Sequence, residues 1–200
     1  MKFYLARHGE TLENKTGITQ GQTPGRLSKL GWQQSKALAK RLAKEPIDAI
    51  YCSDLRRCTQ SIEPLLRIKK IPVIYTKHLR ERTFGIFDGT PSRKFKEYRD
   101  SNAAWKKQKP WRARTPGGES WHDVEVRATR ILGDIMRREK GKNVLIMTHG
   151  GLKTTLMLRF CKKRSSDFGK YLPKNTALSI VEIKGDTTKV RLINCTKHCE

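Results

Sequence analysis

The chain has 200 residues, and 43 lysines and arginines outnumber 19 aspartates and glutamates, which gives a formal net charge of +24. This length is sufficient for one well-buried core, and no linker or internal repeat divides it, so we predict a single domain over residues 1–200. No segment approaches the about 20 apolar residues of a transmembrane helix, and the opening apolar run is too short for a signal peptide. The five cysteines are odd in number and unevenly spaced, which predicts a reduced, cytoplasmic setting.

Predicted strands and helices alternate along the chain. In chain order, the pattern predicts a strand over Lys2–Ala6, a helix over 28–44, a strand over Ala49–Ser53, a helix over 57–67, a strand over Val73–Tyr75, a helix over 120–140, a strand over Asn143–Thr148, a helix over 151–160 and two final strands over 177–184 and 189–195. The first helix is expected to bury Leu30, Ala37, Leu38 and Leu42. The alternation predicts an α/β three-layer sandwich, with a mostly parallel central sheet, an antiparallel edge and helices on both faces.

Two segments do not follow this alternation. Residues 90–118 contain Trp105, Pro110, Trp111 and Pro116, and we interpret them as an irregular helical insertion near the active site. At the C-terminus, the cysteines and histidine of residues 195–199 lack a fourth partner for a metal, so a frayed tail is expected there.

A histidine follows each of two predicted strands. Arg7-His8-Gly9-Glu10-Thr11 comes directly after the first strand, and Thr148-His149-Gly150 comes at the end of another. The carboxyl ends of strands are where α/β proteins carry out their chemistry. A histidine in such a place can be a ligand, a base, a nucleophile or a packed core residue, and one motif alone does not decide between these roles.

Two further motifs supply an arginine and a carboxylate. Arg57 stands in Ser53-Asp54-Leu55-Arg56-Arg57, just past another predicted strand, and Glu81 stands in Arg80-Glu81-Arg82-Thr83-Phe84-Gly85, a glycine-punctuated loop. Glu81 also has a plain structural interpretation, because its arginine neighbours could simply pair with it on the surface.

With these four motifs in this order, the chain resembles the histidine phosphatase superfamily, also called the phosphoglycerate mutase-like family. The resemblance implies that His8 is the phosphorylated nucleophile, that Arg7, Arg57 and His149 complete the phosphate pocket, and that Glu81 is the proton donor. Substrate-binding roles are implied for Asn14, Gln20, Gly21, Thr23 and Gly150. The resemblance implies no cofactor and no metal.

The residue types agree with that chemistry. A transferring phosphoryl group spreads negative charge over its oxygens, so fixed cationic donors such as Arg7 and Arg57 should stabilise it. His8 must be neutral to attack, and nearby arginines favour the neutral imidazole. Glu81 would protonate the leaving oxygen and then activate the water that hydrolyses the phosphohistidine.

Several functions remain open. We expect a phosphomonoesterase that acts on a small anionic metabolite such as a sugar phosphate, while phosphoglycerate mutase-type transfer and an α-ribazole phosphatase remain alternatives. A non-catalytic or nucleic-acid-binding protein on the same scaffold is a further alternative. The positive charge is spread evenly along the chain, which favours capture of anionic substrates over specific nucleic-acid binding. We expect no membrane partner, and the oligomeric state is open.

Overall fold

The structure is a computed structural model that describes all 200 residues. Its strands are β1 (Lys2–Arg7), β2 (Ile18–Thr19), β3 (Ala49–Ser53), β4 (Val73–Thr76), β5 (Thr90–Pro91), β6 (Asn143–Thr148), β7 (Leu178–Lys184) and β8 (Thr187–Cys195). Its helices are α1 (Leu12–Lys15), α2 (Lys29–Ala43), α3 (Arg56–Leu66), α4 (Ser92–Ser101), α5 (Ala103–Lys106), α6 (Trp121–Arg138) and α7 (Gly150–Phe160).

Six strands form the central sheet in the order β4-β3-β6-β1-β7-β8. The first four of these are mutually parallel, whereas β7 runs antiparallel to β1, and β8 antiparallel to β7. The central strands β1, β3 and β6 are almost entirely buried, as expected where helices cover both faces of a parallel sheet. The predicted fold class, with its antiparallel edge, is confirmed.

Side chains that alternate along the central strands form two separate cores. On one face, Phe3, Leu5 and Val144 pack against α6 and α7. On the other face, Tyr4 and Ala6 pack against α2 and α3. Because neighbouring strand residues point to opposite faces, the apolar runs of the sequence supply both cores at once.

Helix α2 begins as predicted but buries a different face. Ser28 caps it by accepting a hydrogen bond from the Gly31 N–H at 3.0 Å. Leu30, however, is 47% exposed, while Gly31 and Ser35 are buried, so the predicted apolar face is wrong at Leu30. A Cβ at Gly31 would lie 1.9 Å from the Glu10 carbonyl oxygen, so close packing against the loop after β1 sets the rotation of this helix.

The C-terminal residues are ordered, so the expected frayed tail is wrong. Lys197–Cys199 form a 3-10 turn, and His198 Nε2 and Cys199 Sγ each lie 3.3 Å from the Thr176 hydroxyl. These contacts satisfy polar atoms locally and tie the end of the chain to the loop before β7. None of the helices combines the length and the apolar character needed to cross a lipid bilayer.

Candidate active site

The two predicted histidines meet at the carboxyl edge of the sheet. Strands β1 and β6 pair so that Arg7 stands opposite Thr148. The residue directly after each strand is a histidine, and the rings of His8 and His149 lie 5.3 Å apart between centroids. Both histidines are buried. The parallel register therefore brings together two motifs that are far apart in the sequence.

The tautomer of His8 follows from its hydrogen bond. Its Nδ1 lies 2.7 Å from the Gly9 carbonyl oxygen, and a carbonyl can only accept, so Nδ1 carries the proton. The lone pair is therefore on Nε2. Burial and the nearby Arg57 and Arg7 charges lower the pKa of His8 well below its usual value. The imidazole is consequently neutral near pH 7, the form that a nucleophile requires.

His149 holds Arg57 in place. Arg57 Nε donates to His149 Nδ1 at 3.0 Å, and His149 Nε2 lies 2.8 Å from the Ser53 hydroxyl. Because a guanidinium can only donate, Nε2 must be the protonated nitrogen of this ring and donates to Ser53. Burial and the Arg57 charge also lower the pKa of His149 well below its usual value. Both ring nitrogens of His149 are thus already engaged with the protein.

The loop before α2 contacts Arg57 through its backbone. Arg57 Nη2 donates to the Gly21 carbonyl at 2.7 Å, and Nη1 donates to the Thr23 carbonyl at 2.5 Å. Gly21 has φ +49°, and a Cβ there would lie 1.7 Å from the Asp88 carboxylate. Two of the predicted substrate-binding residues, Gly21 and Thr23, therefore fix the guanidinium of Arg57 at the base of the pocket.

Asp88 is a supporting residue that the sequence motifs did not indicate. Its carboxylate accepts hydrogen bonds from Gln22 N at 3.0 Å, Thr83 Oγ1 at 2.8 Å and Phe84 N at 2.7 Å. It therefore joins the loop that carries Gly21 to the loop that carries Glu81. The sequence did contain a signal that could have predicted a turn around this carboxylate. It is the pair of glycines in Phe84-Gly85-Ile86-Phe87-Asp88-Gly89.

Arg7 has a donor without a protein partner. Its Nη1 donates to the Pro173 carbonyl at 2.7 Å, but its Nε is buried and makes no hydrogen bond. Like Arg57, Arg7 contacts neutral acceptors rather than carboxylates. Arg57 is buried and Arg7 is half-buried, and neither has a carboxylate in contact. Together with the unused N–H of Arg7, these two cations favour binding of an anion.

Glu81 lies at the start of α7. Its Oε2 accepts from Gly151 N at 2.8 Å, and its Oε1 accepts from Arg82 N at 2.9 Å. A Cβ at Gly151 would lie 2.3 Å from the Trp121 ring and 2.7 Å from Glu81 Oε1, whereas a Cβ at Gly150 would meet Arg7 only at 3.5 Å. The second glycine of the pair therefore permits this carboxylate position.

Asn14 and Asn175 form a polar pair beside His8. Asn14 Oδ1 accepts from Thr11 N and from Asn175 Nδ2, each at 3.3 Å, and Asn175 Nδ2 also lies 3.2 Å from the His8 carbonyl. Two donors on Oδ1 orient the Asn14 amide so that its Nδ2 is the end left to bind an anion. Gln20 is buried, and its Oε1 has no hydrogen-bond partner. No sequence motif indicated Asn175.

A cavity of about 1350 Å³ opens beside this pocket. Arg7, Glu81, Gly150 and Gly151 are among its lining residues, so it reaches the proposed site of reaction. Much of its remaining wall comes from the 90–118 segment, which contains α4, α5 and an irregular stretch after α5. The cavity walls of this segment include Phe95, Arg99, Trp105, Lys106, Lys109 and Trp111.

The family model of the histidine phosphatase superfamily (branch 1) matches residues 3–196. Together with the paired histidines and the arginine pocket, this match shows the class of protein. The chain belongs to the histidine phosphatase superfamily, and its activity class is that of a phosphatase.

Named relatives cover most of the chain. It is 33% identical to a metal-independent phosphoserine phosphatase of Arabidopsis thaliana, over 90% of this chain and 75% of the relative. It is 26% identical to an adenosylcobalamin/alpha-ribazole phosphatase of Salmonella typhimurium, over 97% of this chain and 96% of the relative. The solved structure of Bacillus stearothermophilus YhfR superposes with a TM-score of 0.91 at 30% identity, covering 100% of this chain and 99% of that one.

Proposed function

We propose that this chain hydrolyses phosphate monoesters of small anionic metabolites through a phosphohistidine on His8. One observation carries the proposal: the bond from His8 Nδ1 to the Gly9 carbonyl leaves the Nε2 lone pair free in a buried pocket with two arginines. We further infer that residues 1–200 form one histidine phosphatase domain in which residues 90–118 wall the substrate cleft.

The pocket binds the phosphoryl group before any bond changes. The unused Nε of Arg7 and the remaining N–H groups of Arg57 donate to its oxygens, and Asn14 Nδ2 adds a further donor. Because Arg57 is held by His149 and by two backbone carbonyls, it is fixed before substrate arrives and needs no reorganisation during reaction. His149 acts in this scheme by orienting Arg57.

The chemistry then takes two steps. His8 Nε2 attacks phosphorus, forming the P–N bond as the P–O bond to the alcohol breaks, and Glu81 gives its proton to the leaving oxygen. In the second step, Glu81 takes a proton from water, the water oxygen attacks phosphorus, and the P–N bond breaks. Inorganic phosphate leaves, and both His8 and Glu81 return to their starting states.

Trapping of the phosphoenzyme tests the proposal. The protein is mixed with a ³²P-labelled phosphomonoester and quenched in alkali, where phosphohistidine survives; acid treatment should then release the label. His8→Ala should abolish labelling and reduce turnover by about 10³-fold or more. His78→Ala, a change of an exposed histidine outside the site, is the matched control. A His8→Ala variant that retains turnover would refute the nucleophile assignment.

A second experiment, product analysis, separates hydrolysis from mutase-type transfer. With 3-phosphoglycerate as substrate, a phosphatase releases inorganic phosphate in step with glycerate. A mutase instead yields the positional isomer without phosphate release. Release of phosphate at the rate of substrate loss is the expected result.

A further inference from the structure

The cleft beyond the phosphate pocket has an aromatic lining that the proposed hydrolysis does not use. Its volume of about 1350 Å³ exceeds the roughly 300–1,000 Å³ of pockets that hold drug-sized ligands. Six half-buried aromatic side chains line it: Phe84, Phe95, Trp105, Trp111, Trp121 and Phe168. The leaving group of a substrate as short and polar as phosphoserine would contact few of them.

These side chains form two groups. In the first, Trp111 and Trp121 stack with ring centroids 6.3 Å apart, and Phe168 lies 4.5 Å from Trp121. In the second, Phe95 makes edge contacts with Phe84 at 5.2 Å and with Trp105 at 5.8 Å. Each group is internally packed, so its rings are held in place before a ligand enters.

Arg82 connects the two aromatic groups. Its guanidinium lies 4.8 Å from the Phe84 ring and 5.0 Å from the Trp121 ring, one ring in each group. Arg82 is only 3% exposed, and it donates to the backbone carbonyls of Glu119 and Ala113. It is therefore fixed in position and orders both aromatic groups through cation–π contacts.

The aromatic lining begins where the leaving group must emerge. The ring of Trp121 occupies the space that a Cβ on Gly151 would fill, and the carboxylate of Glu81 borders the same space. An alcohol oxygen that receives a proton from Glu81 therefore lies next to an aromatic surface. The atoms attached to that oxygen extend into the cleft between the two groups.

We propose that the preferred substrates are phosphate monoesters whose alcohol carries an aromatic ring. This inference rests on the proposed phosphatase function and adds the class of leaving group. The ring packs between the two aromatic groups. Lys106 and Lys109 also line the cleft and form no ion pair, so they provide a cationic surrounding that tolerates further negative charge on the substrate.

Matched substrates test the inference without changing the chemistry of the leaving oxygen. Ethyl, 2-cyclohexylethyl and 2-phenylethyl phosphate are esters of alcohols of similar acidity. We expect kcat/KM for the phenylethyl ester to exceed that of the ethyl ester by about ten-fold or more, since apolar burial drives binding. It should exceed that of the cyclohexyl ester by about three-fold or more, because ring–ring geometry adds to burial.

Variants locate the effect. Trp105→Ala and Trp111→Ala, one from each aromatic group, should each reduce the phenylethyl-to-ethyl ratio by about three-fold or more. Trp32→Ala changes a tryptophan on α2 that lines a different pocket, so it should keep the wild-type ratio. Equal kcat/KM for the three esters, or an unchanged ratio in both cleft variants, would overturn the inference.

Binding of non-hydrolysable phosphonates separates this inference from the phosphatase proposal. We expect 2-phenylethylphosphonate to bind at least ten-fold more tightly than ethylphosphonate by calorimetry, in wild type and in His8→Ala. Hydrolysis of all three esters with equal kcat/KM would refute the proposed aromatic preference but would support the proposed phosphatase function. If no ester is hydrolysed but 2-phenylethylphosphonate still binds more tightly than ethylphosphonate, the phosphatase function is refuted and the aromatic preference of the cleft is supported.

Discussion

Gly151→Ala should damage catalysis more than its size suggests. A Cβ at this position would lie 2.3 Å from one ring carbon of Trp121 and 2.7 Å from Glu81 Oε1. Ordinary contacts between carbon atoms are about 3.5–4.0 Å. To accept the new methyl group, the Trp121 ring and the Glu81 carboxylate must therefore each move away from residue 151 by roughly 1 Å. A displacement of about 1 Å at a catalytic group lowers the rate on the order of 100-fold.

The assay is steady-state hydrolysis of an alkyl phosphate, whose leaving oxygen receives its proton from Glu81 in the proposed mechanism, together with thermal unfolding. We expect kcat to fall about 100-fold while the variant remains folded. Gly150→Ala should lose far less activity, because its Cβ would make only a normal contact at 3.5 Å with Arg7. Gly133→Ala, in α6 with its nearest atom at 3.6 Å, should keep full activity and be more stable by about 0.5–1 kcal/mol. Equal losses in the Gly150 and Gly151 variants would refute the steric argument.

Three other changes test separate parts of the site. Glu81→Gln removes the transferable proton, so kcat should fall far more for an alkyl phosphate than for 4-nitrophenyl phosphate, and equal losses would make Glu81 a positioning group. The low pKa values of buried His8 and His149 mean that protons bind preferentially to the unfolded chain below pH 6.5. Denaturant unfolding should therefore show stability that is full above pH 6.5 and decreases at lower pH by up to about 1.4 kcal/mol per pH unit for each histidine, whereas a flat profile would contradict their burial as neutral rings. Asn175→Asp replaces a donor with a carboxylate oxygen near Asn14 Oδ1 and the His8 carbonyl, so KM and the inhibition constant for inorganic phosphate should rise several-fold with a smaller change in kcat; unchanged values would show that Asn175 does not orient Asn14.

The sequence predicted those parts of the site that follow from strand ends. His8 and His149 each come directly after a buried apolar run, and parallel strands place their carboxyl ends at one edge, so the sequence pattern is enough to predict that they lie close together. The same reasoning placed Arg56 and Arg57 just past the end of β3, and the family resemblance then selected Arg57 for the pocket. These positions depend on local patterns and on a general rule of topology.

Contacts between distant loops were not predictable in the same way. Asn175 lies in a loop before β7 with no motif around it, and its role depends on the rotation of the Asn14 amide. The engagement of both His149 ring nitrogens likewise follows from the positions of Ser53 and Arg57 on two other elements. Such contacts require the packed arrangement of loops, because each partner is separated from the other by a large part of the chain.

Gly9, the glycine after the proposed nucleophile His8, shows how a packing requirement determines which ring nitrogen carries the proton. A Cβ at Gly9 would lie 2.6 Å from the Gly31 carbonyl and 2.8 Å from the Ser35 hydroxyl, so α2 approaches the loop closely only because residue 9 has no side chain. Gly9 N also donates to the Ser61 hydroxyl at 2.9 Å, which fixes the amide from the side of α3. Both covering helices therefore hold this residue, and its carbonyl oxygen is the acceptor that keeps the proton on His8 Nδ1. The exposure of Leu30 has the same cause, because α2 is rotated to turn small residues toward Gly9. This rotation helps to leave the Nε2 lone pair free, as the proposed nucleophilic role of His8 requires.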